Sequence, residues 1–157
     1  MVSWSSIRRN RRQLAALSRR DLGLLVRASA WLAVVALGRR LVRFRRLQAL
    51  LGHAFPLRRA DEADLSAAPH LARLVDIAAR HALVRATCLD RSLVLWGLLR
   101  WRGIDSALQI GARKAGEQFE AHAWLEYQGA VLNDAADVRE RFVTLTPDVE
   151  RVGGLTP

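Results

Sequence analysis

"RATCLDRSLVLWGLLRWRG", residues 85–103, holds the sole cysteine of a 157-residue chain, Cys88, at the head of an apolar run. Thr87 is a good helix N-cap, and Asp90 follows it by three residues in a capping-box position, so the spacing predicts a helix that begins at Cys88. Leu89, Leu93, Val94, Leu95, Trp96, Leu98 and Leu99 then predict a helix body surrounded by core. A thiol in the first turn sits among unpaired backbone N–H groups at the positive end of the helix dipole, which favours the thiolate. The same residue also has a plainer reading. Free cysteine is among the most buried residue types, and a lone one commonly just fills core space. For Cys88 to be a nucleophile, something within reach must supply a base.

Beyond Asp105 the apolar period changes to two. "SALQIGARK" (106–114) and "FEAHAWLEY" (119–127) alternate as strands do, "AVLND" (130–134) reads as a third strand and "FVTL" (142–145) as a fourth. Helices followed by an antiparallel sheet predict an α+β fold. Of the four histidines, His53 and His70 fall in or beside a turn-rich stretch and His81 ends a predicted helix, "LARLVDIAARH" (71–81). His122 stands mid-strand between two alanines, with Trp124 and Glu126 on its face and open space expected around its ring. A satisfied core histidine remains an equal reading at this point.

An orienting acid follows from hairpin geometry. A three-residue loop of Tyr127, Gln128 and Gly129 sets His122 directly opposite Asp134, close enough for a carboxylate to accept a proton from the ring. A two-residue loop at Gln128-Gly129 pairs His122 with Ala135 instead and turns Asp134 to the other face. Asn133 and Asp137 are neighbours that could take the same role. Cys88, His122 and Asp134 together suggest acyl transfer through a thioester, with the Cys88 N–H as an oxyanion donor.

Charge divides the chain. Residues 1–60 carry fourteen arginines against one acid, Asp21, whereas residues 61–157 hold eleven basic and fourteen acidic side chains. The first part reads as a basic helical N-terminal extension of two or three helices with a break near Gly38, and 61–157 as the core of a single domain. "HAFPLRRADEADLSAAPH" (53–70) is the linker candidate. The apolar run 22–37 falls short of the roughly 20 residues of a bilayer span, so a membrane segment is not expected. A single cysteine cannot form an internal disulfide, which makes the cytoplasm the expected location. One cysteine and scattered histidines lack metal-ligand spacing, and no cofactor is expected. The arginines could contact phosphates, but base-reading motifs are absent and nucleic acid is not expected as a partner.

"CLDRSLVLWGLLRWRGIDSALQIGARK" (88–114), followed by "FEAHAWLEYQGAVLND" (119–134), resembles the transglutaminase-like cysteine proteases that mature lasso peptides. The shared pattern runs C-L-x-R-S-L, L-L-R-x-R-G-I, I-G-x-x-K and A-H-A-W-[LV]-E, with a carboxylate after the turn. It covers residues 85–134, and similarity in the upstream helices is looser. The resemblance implies a transglutaminase-like, papain-like core, with Cys88 as nucleophile, His122 as base and Asp134 as orienter. It further implies removal of the leader from a ribosomal precursor peptide, so that a lasso cyclase can close the macrolactam. Some members carry a fused leader-recognition domain. The helical first third implies the split type, served by a separate leader-recognition protein; residues 10–51 would help to dock that partner or the acidic parts of the leader. Two other readings stay open: a non-catalytic basic adaptor, and a transamidase or deamidase on the same scaffold.

Overall fold

A computed structural model describes residues 18–57, 66–82 and 84–145. Ser18 caps α1 (Arg19–Leu41) in a reciprocal capping box: its hydroxyl accepts the Asp21 N–H, and the Asp21 carboxylate accepts the Ser18 N–H. The helix continues through Gly38, where a break was expected. The chain turns instead at the extended residues Val42 and Arg43, ahead of α2 (Phe44–Ala54). At 23 residues α1 outruns the apolar stretch seen in the sequence, and by length and composition it is long and apolar enough to cross a membrane. In the fold its Ala28, Leu32 and Val35 are fully buried, while Leu22, Val26, Val34, Leu37 and Leu41 are exposed.

Helix α3 (Ala67–His81) starts four residues before the predicted one, with Pro69 in the first turn, where a missing N–H leaves no helical bond unmade. Helix α4 (Cys88–Arg100) begins where Thr87 and Asp90 predict. One apolar cluster joins both sides of the expected boundary at residue 60. Ala28, Leu32, Leu47 and Phe55 pack with Leu71, Val75, Leu93, Leu95 and Leu99. Phe55, inside the expected linker, pins the chain there with its ring 4.5 Å from Trp31 and 5.5 Å from Trp101.

The sheet contains β1 (Ala107–Ala115), β2 (Gln118–Tyr127), β3 (Ala130–Val131) and β4 (Val143–Thr144), in the order β3-β2-β1-β4 with every pair antiparallel. Leu125 joins the α4 cluster on one face. On the other face Trp124 is covered by Val138, from the short helix α5 (Val138–Arg141), and by Phe142. The architecture is α+β, as the change of period predicts.

The β2–β3 turn corrects one expectation. Tyr127 pairs with Ala130 and Glu126 with Val131, so the loop has two residues, Gln128 (φ 48) and Gly129 (φ 82). Two successive left-handed residues build the mirror-image turn whose twist matches that of the flanking strands. The ladder then ends early. Leu132 N–H still donates to the Leu125 carbonyl (2.9 Å), but Leu125 N–H donates to the Asn133 side-chain Oδ1 (2.7 Å) in place of a backbone carbonyl. The predicted third strand is therefore cut to two residues, and the chain leaves the sheet at Asn133 and Asp134.

Candidate active site

At the tip of α4 the Thr87 Oγ1 accepts the Asp90 N–H (3.3 Å). The Asp90 Oδ2 accepts both the N–H and the hydroxyl of Thr87 (2.8 Å each). The Asp90 side chain has no exposure, and its Oδ1 accepts from Arg39 Nε of α1 at 2.9 Å. A carboxylate this deep is tolerated because both oxygens are engaged and a guanidinium supplies the opposite charge. The basic first helix thus locks the cap of the helix that carries Cys88, which itself is half-buried. The Thr87–Asp90 box is legible in the sequence and Arg39 is not, since nothing local marks a partner 51 residues away.

The second half of the site is the His122–Asp134 pair, with Nε2 2.5 Å from Oδ2. It forms although the loop has two residues, and the ladder partner expected for that loop, Ala135, is not what His122 meets. Because the chain has left the sheet by Asp134, strand alternation no longer dictates where that side chain points. Asn133 holds the departure. Its Oδ1 takes the Leu125 N–H, its Nδ2 donates to Ser92 Oγ (3.0 Å), and Ser92 in turn donates to the Ala123 carbonyl (3.0 Å). This partly buried chain ties α4, β2 and the 133–134 bend together on either side of His122. Asn133 is thus a strut beside the pair, and Asp137 directly precedes α5 and pairs with Arg141 (3.2 Å).

Asp134 Oδ1 accepts the Ala135 N–H (2.7 Å) and Arg141 Nη2 (2.9 Å). Burial acts to raise the Asp134 carboxyl, but the hydrogen bonds from His122, Ala135 and Arg141 outweigh it and hold the group below the ordinary carboxylate range. An ionised carboxylate can only accept, so Nε2 is the ring nitrogen that holds a proton toward Asp134, and in the neutral ring Nδ1 keeps the lone pair. The ring is not in the open space expected from its alanine neighbours. Phe142 stacks on it at 5.0 Å and Trp124 lies at 6.2 Å, with Arg113 and Arg141 over Phe142. Trp124 is fixed in turn by donating to Glu126 (2.7 Å), which Arg139 holds in a two-point ion pair.

Cys88, His122 and Asp134 all line one pocket of ≈ 240 Å³, together with Asp76, Arg91, Ala123 and Asn133. The other histidines lie elsewhere. His53 and His81 are in the last turns of α2 and α3, and His70 Nε2 lies 2.8 Å from Asp21 Oδ1. A half-buried thiol at a capped helix tip, facing the same hollow as an imidazole with a fixed tautomer, can serve as a nucleophile with its base.

A stretch of 60 residues is 37% identical to the Microcin J25-processing protein McjB of Escherichia coli, covering 38% of this chain and 28% of that protein. No solved structure gives a significant match. The family description of the transglutaminase-like superfamily matches residues 31–146, which takes in the C-terminal half of α1, all of α2 to α5 and the whole sheet. The chain belongs to the transglutaminase-like superfamily.

Proposed function

We propose that the chain is a cysteine peptidase that removes the leader from a ribosomally made lasso precursor peptide. The observation that carries this reading is the shared pocket, which Cys88 at the α4 tip and the hydrogen-bonded His122–Asp134 pair both line. His122 Nδ1 takes the thiol proton while Asp134 steadies the resulting imidazolium through Nε2–H. The sulfur then attacks the scissile carbonyl carbon, and the Cys88 N–H, at the open end of the helix, donates to the oxyanion. Collapse of the tetrahedral species breaks the C–N bond, and the leaving amine takes the proton from His122. Water, deprotonated by His122, attacks the thioester carbonyl and releases the new carboxylate with the thiol restored.

The similarity to a protein named for processing microcin J25 supports a precursor peptide as substrate. A separate leader-recognition protein and a lasso cyclase, all in the cytoplasm, complete the proposed pathway. The test is mass spectrometry of the precursor after incubation with the recognition protein and either wild type or Cys88→Ala. Wild type should yield leader and core whose masses sum to the precursor plus one water, and Cys88→Ala should leave the precursor whole. Processing that survives Cys88→Ala would leave the adaptor reading, and a leader recovered joined to an amine would assign a transamidase.

A further inference from the structure

A second hollow, of ≈ 360 Å³, adjoins the Cys88 pocket and shares Asp76, Asn133 and Asp134 with it, so the two make one groove. One wall is a single face of α3, on which Ala72, Arg73, Asp76, Ile77 and Arg80 recur at helical spacing; Leu132 and Asn133 line the other. The acids here are already engaged. Asp76 pairs with Arg91 at 3.2 Å, and Asp134 with His122 and Arg141. Arg73 and Arg80 are exposed and have no ion-pair partner among the described residues, so the groove presents two free positive charges. Seven residues apart on a helix, they stand about 10 Å apart along its axis. That is roughly the advance of three residues of extended chain.

We propose that this groove is a subsite for an acidic segment of the peptide substrate, with Arg73 and Arg80 receiving its carboxylates and Ala72, Ile77 and Leu132 receiving its apolar stems. The inference rests on the peptidase reading and adds the chemistry of what is recognised. An extended peptide, with carboxylates on some residues and hydrocarbon on others, matches the alternation of guanidinium and apolar lining. A polyphosphate chain would meet Asp76 between the two arginines.

The experiment uses the full-length Cys88→Ala chain and fluorescent peptides tiling the precursor, each made with glutamate, glutamine or lysine at its acidic positions, with affinity read by anisotropy at low salt. One tile should bind about tenfold tighter as glutamate than as lysine, in keeping with two exposed, salt-screened charge contacts. Arg73→Glu with Arg80→Glu should reverse the order, and Arg73→Gln with Arg80→Gln, the milder pair, should abolish it. Equal affinities for all three versions of every tile, or a glutamate preference that survives both double variants, overturns the subsite. Because binding is read without cleavage, the two ideas fail separately: wild type that leaves the precursor uncut defeats the peptidase reading while a reversible acid preference keeps the groove.

Discussion

The two halves of the candidate site are built in opposite ways. At Cys88 the frame is mostly local: Thr87 and Asp90, three residues apart, exchange hydrogen bonds and fix the first turn of α4, with Arg39 alone reaching in from α1. At Asp134 it is assembled from afar, since the carboxylate reaches His122 only where the chain abandons the ladder. Asn133 borrows a strand N–H there, Ser92 reaches in from α4 and Arg141 from the end of α5. A locally encoded feature survives an error in the surrounding topology. A feature assembled from several elements depends on all of them, and mutation should find it the more fragile of the two.

The largest effect should come from the pair itself. Asp134→Asn keeps the size of the side chain, but its amide can present a donor where His122 needs an acceptor, so the ring loses its fixed tautomer and its charge stabilisation. Cleavage should fall by about 10²–10⁴-fold with substrate affinity little changed, measured as kcat and KM on the precursor. A loss under threefold would remove Asp134 from the mechanism. The same variant reports on pH. The folded Asp134 titrates below its ordinary value of 3.8, so its ionised form favours the fold. That contribution is complete above about pH 4 and is lost as pH falls through the folded value. The stability gap between wild type and Asp134→Asn should therefore be full at pH 7 and narrow only as pH falls below about 3.8 in urea titrations.

Next in size is the contrast between the supports. Asn133→Ala strands the Leu125 N–H within a partly buried network, which costs roughly 1–3 kcal/mol, takes one donor from the Ser92 hydroxyl, which keeps its bond to the Ala123 carbonyl, and frees the bend that carries Asp134. Thr87→Ala removes one cap acceptor, at about 1 kcal/mol, while Arg39 and the rest of α4 still hold Asp90. Both should lower the urea midpoint, and Asn133→Ala should in addition lower kcat by more than its stability loss explains. If Thr87→Ala proves the more damaging to turnover, the local half is the fragile one and the comparison is inverted.

These contrasts match what could be read from the sequence. The helix at Cys88 was legible to the residue because its start is written in four consecutive positions, and the α+β order was legible because the apolar period changes near Asp105. From sequence the His122–Asp134 contact follows only from a three-residue loop, and the fold builds a two-residue one. Counting residues across a loop predicts partners only while the strands stay paired, and β3 pairs for just two residues. Arg39, Phe142 and Arg141 were beyond reach, because each meets the site through tertiary packing and carries no pattern of its own. The expected open space around His122 failed for the same reason: alanine neighbours on a strand say nothing of an aromatic ring delivered from another element.

The smallest predicted effect tests the turn on which that miscount rests. Gln128 holds φ 48 at the first central position of a two-residue mirror-image turn, where asparagine and glycine are favoured and glutamine is not. Gln128→Asn should relieve part of the left-handed strain and stabilise the fold by about 0.5 kcal/mol. The gain is offset little, because the glutamine amide makes an exposed 3.3 Å hydrogen bond to the Tyr127 hydroxyl that water can replace. For a chain of this size that is a rise of about 1–2 °C in Tm, with cleavage unchanged because the exit of Asn133 and Asp134 from the sheet lies beyond the turn. A three-residue loop in solution makes the opposite forecast. An Asn-Gly pair would then draw the hairpin into a new register, move Asp134 relative to His122, and lower stability and cleavage together.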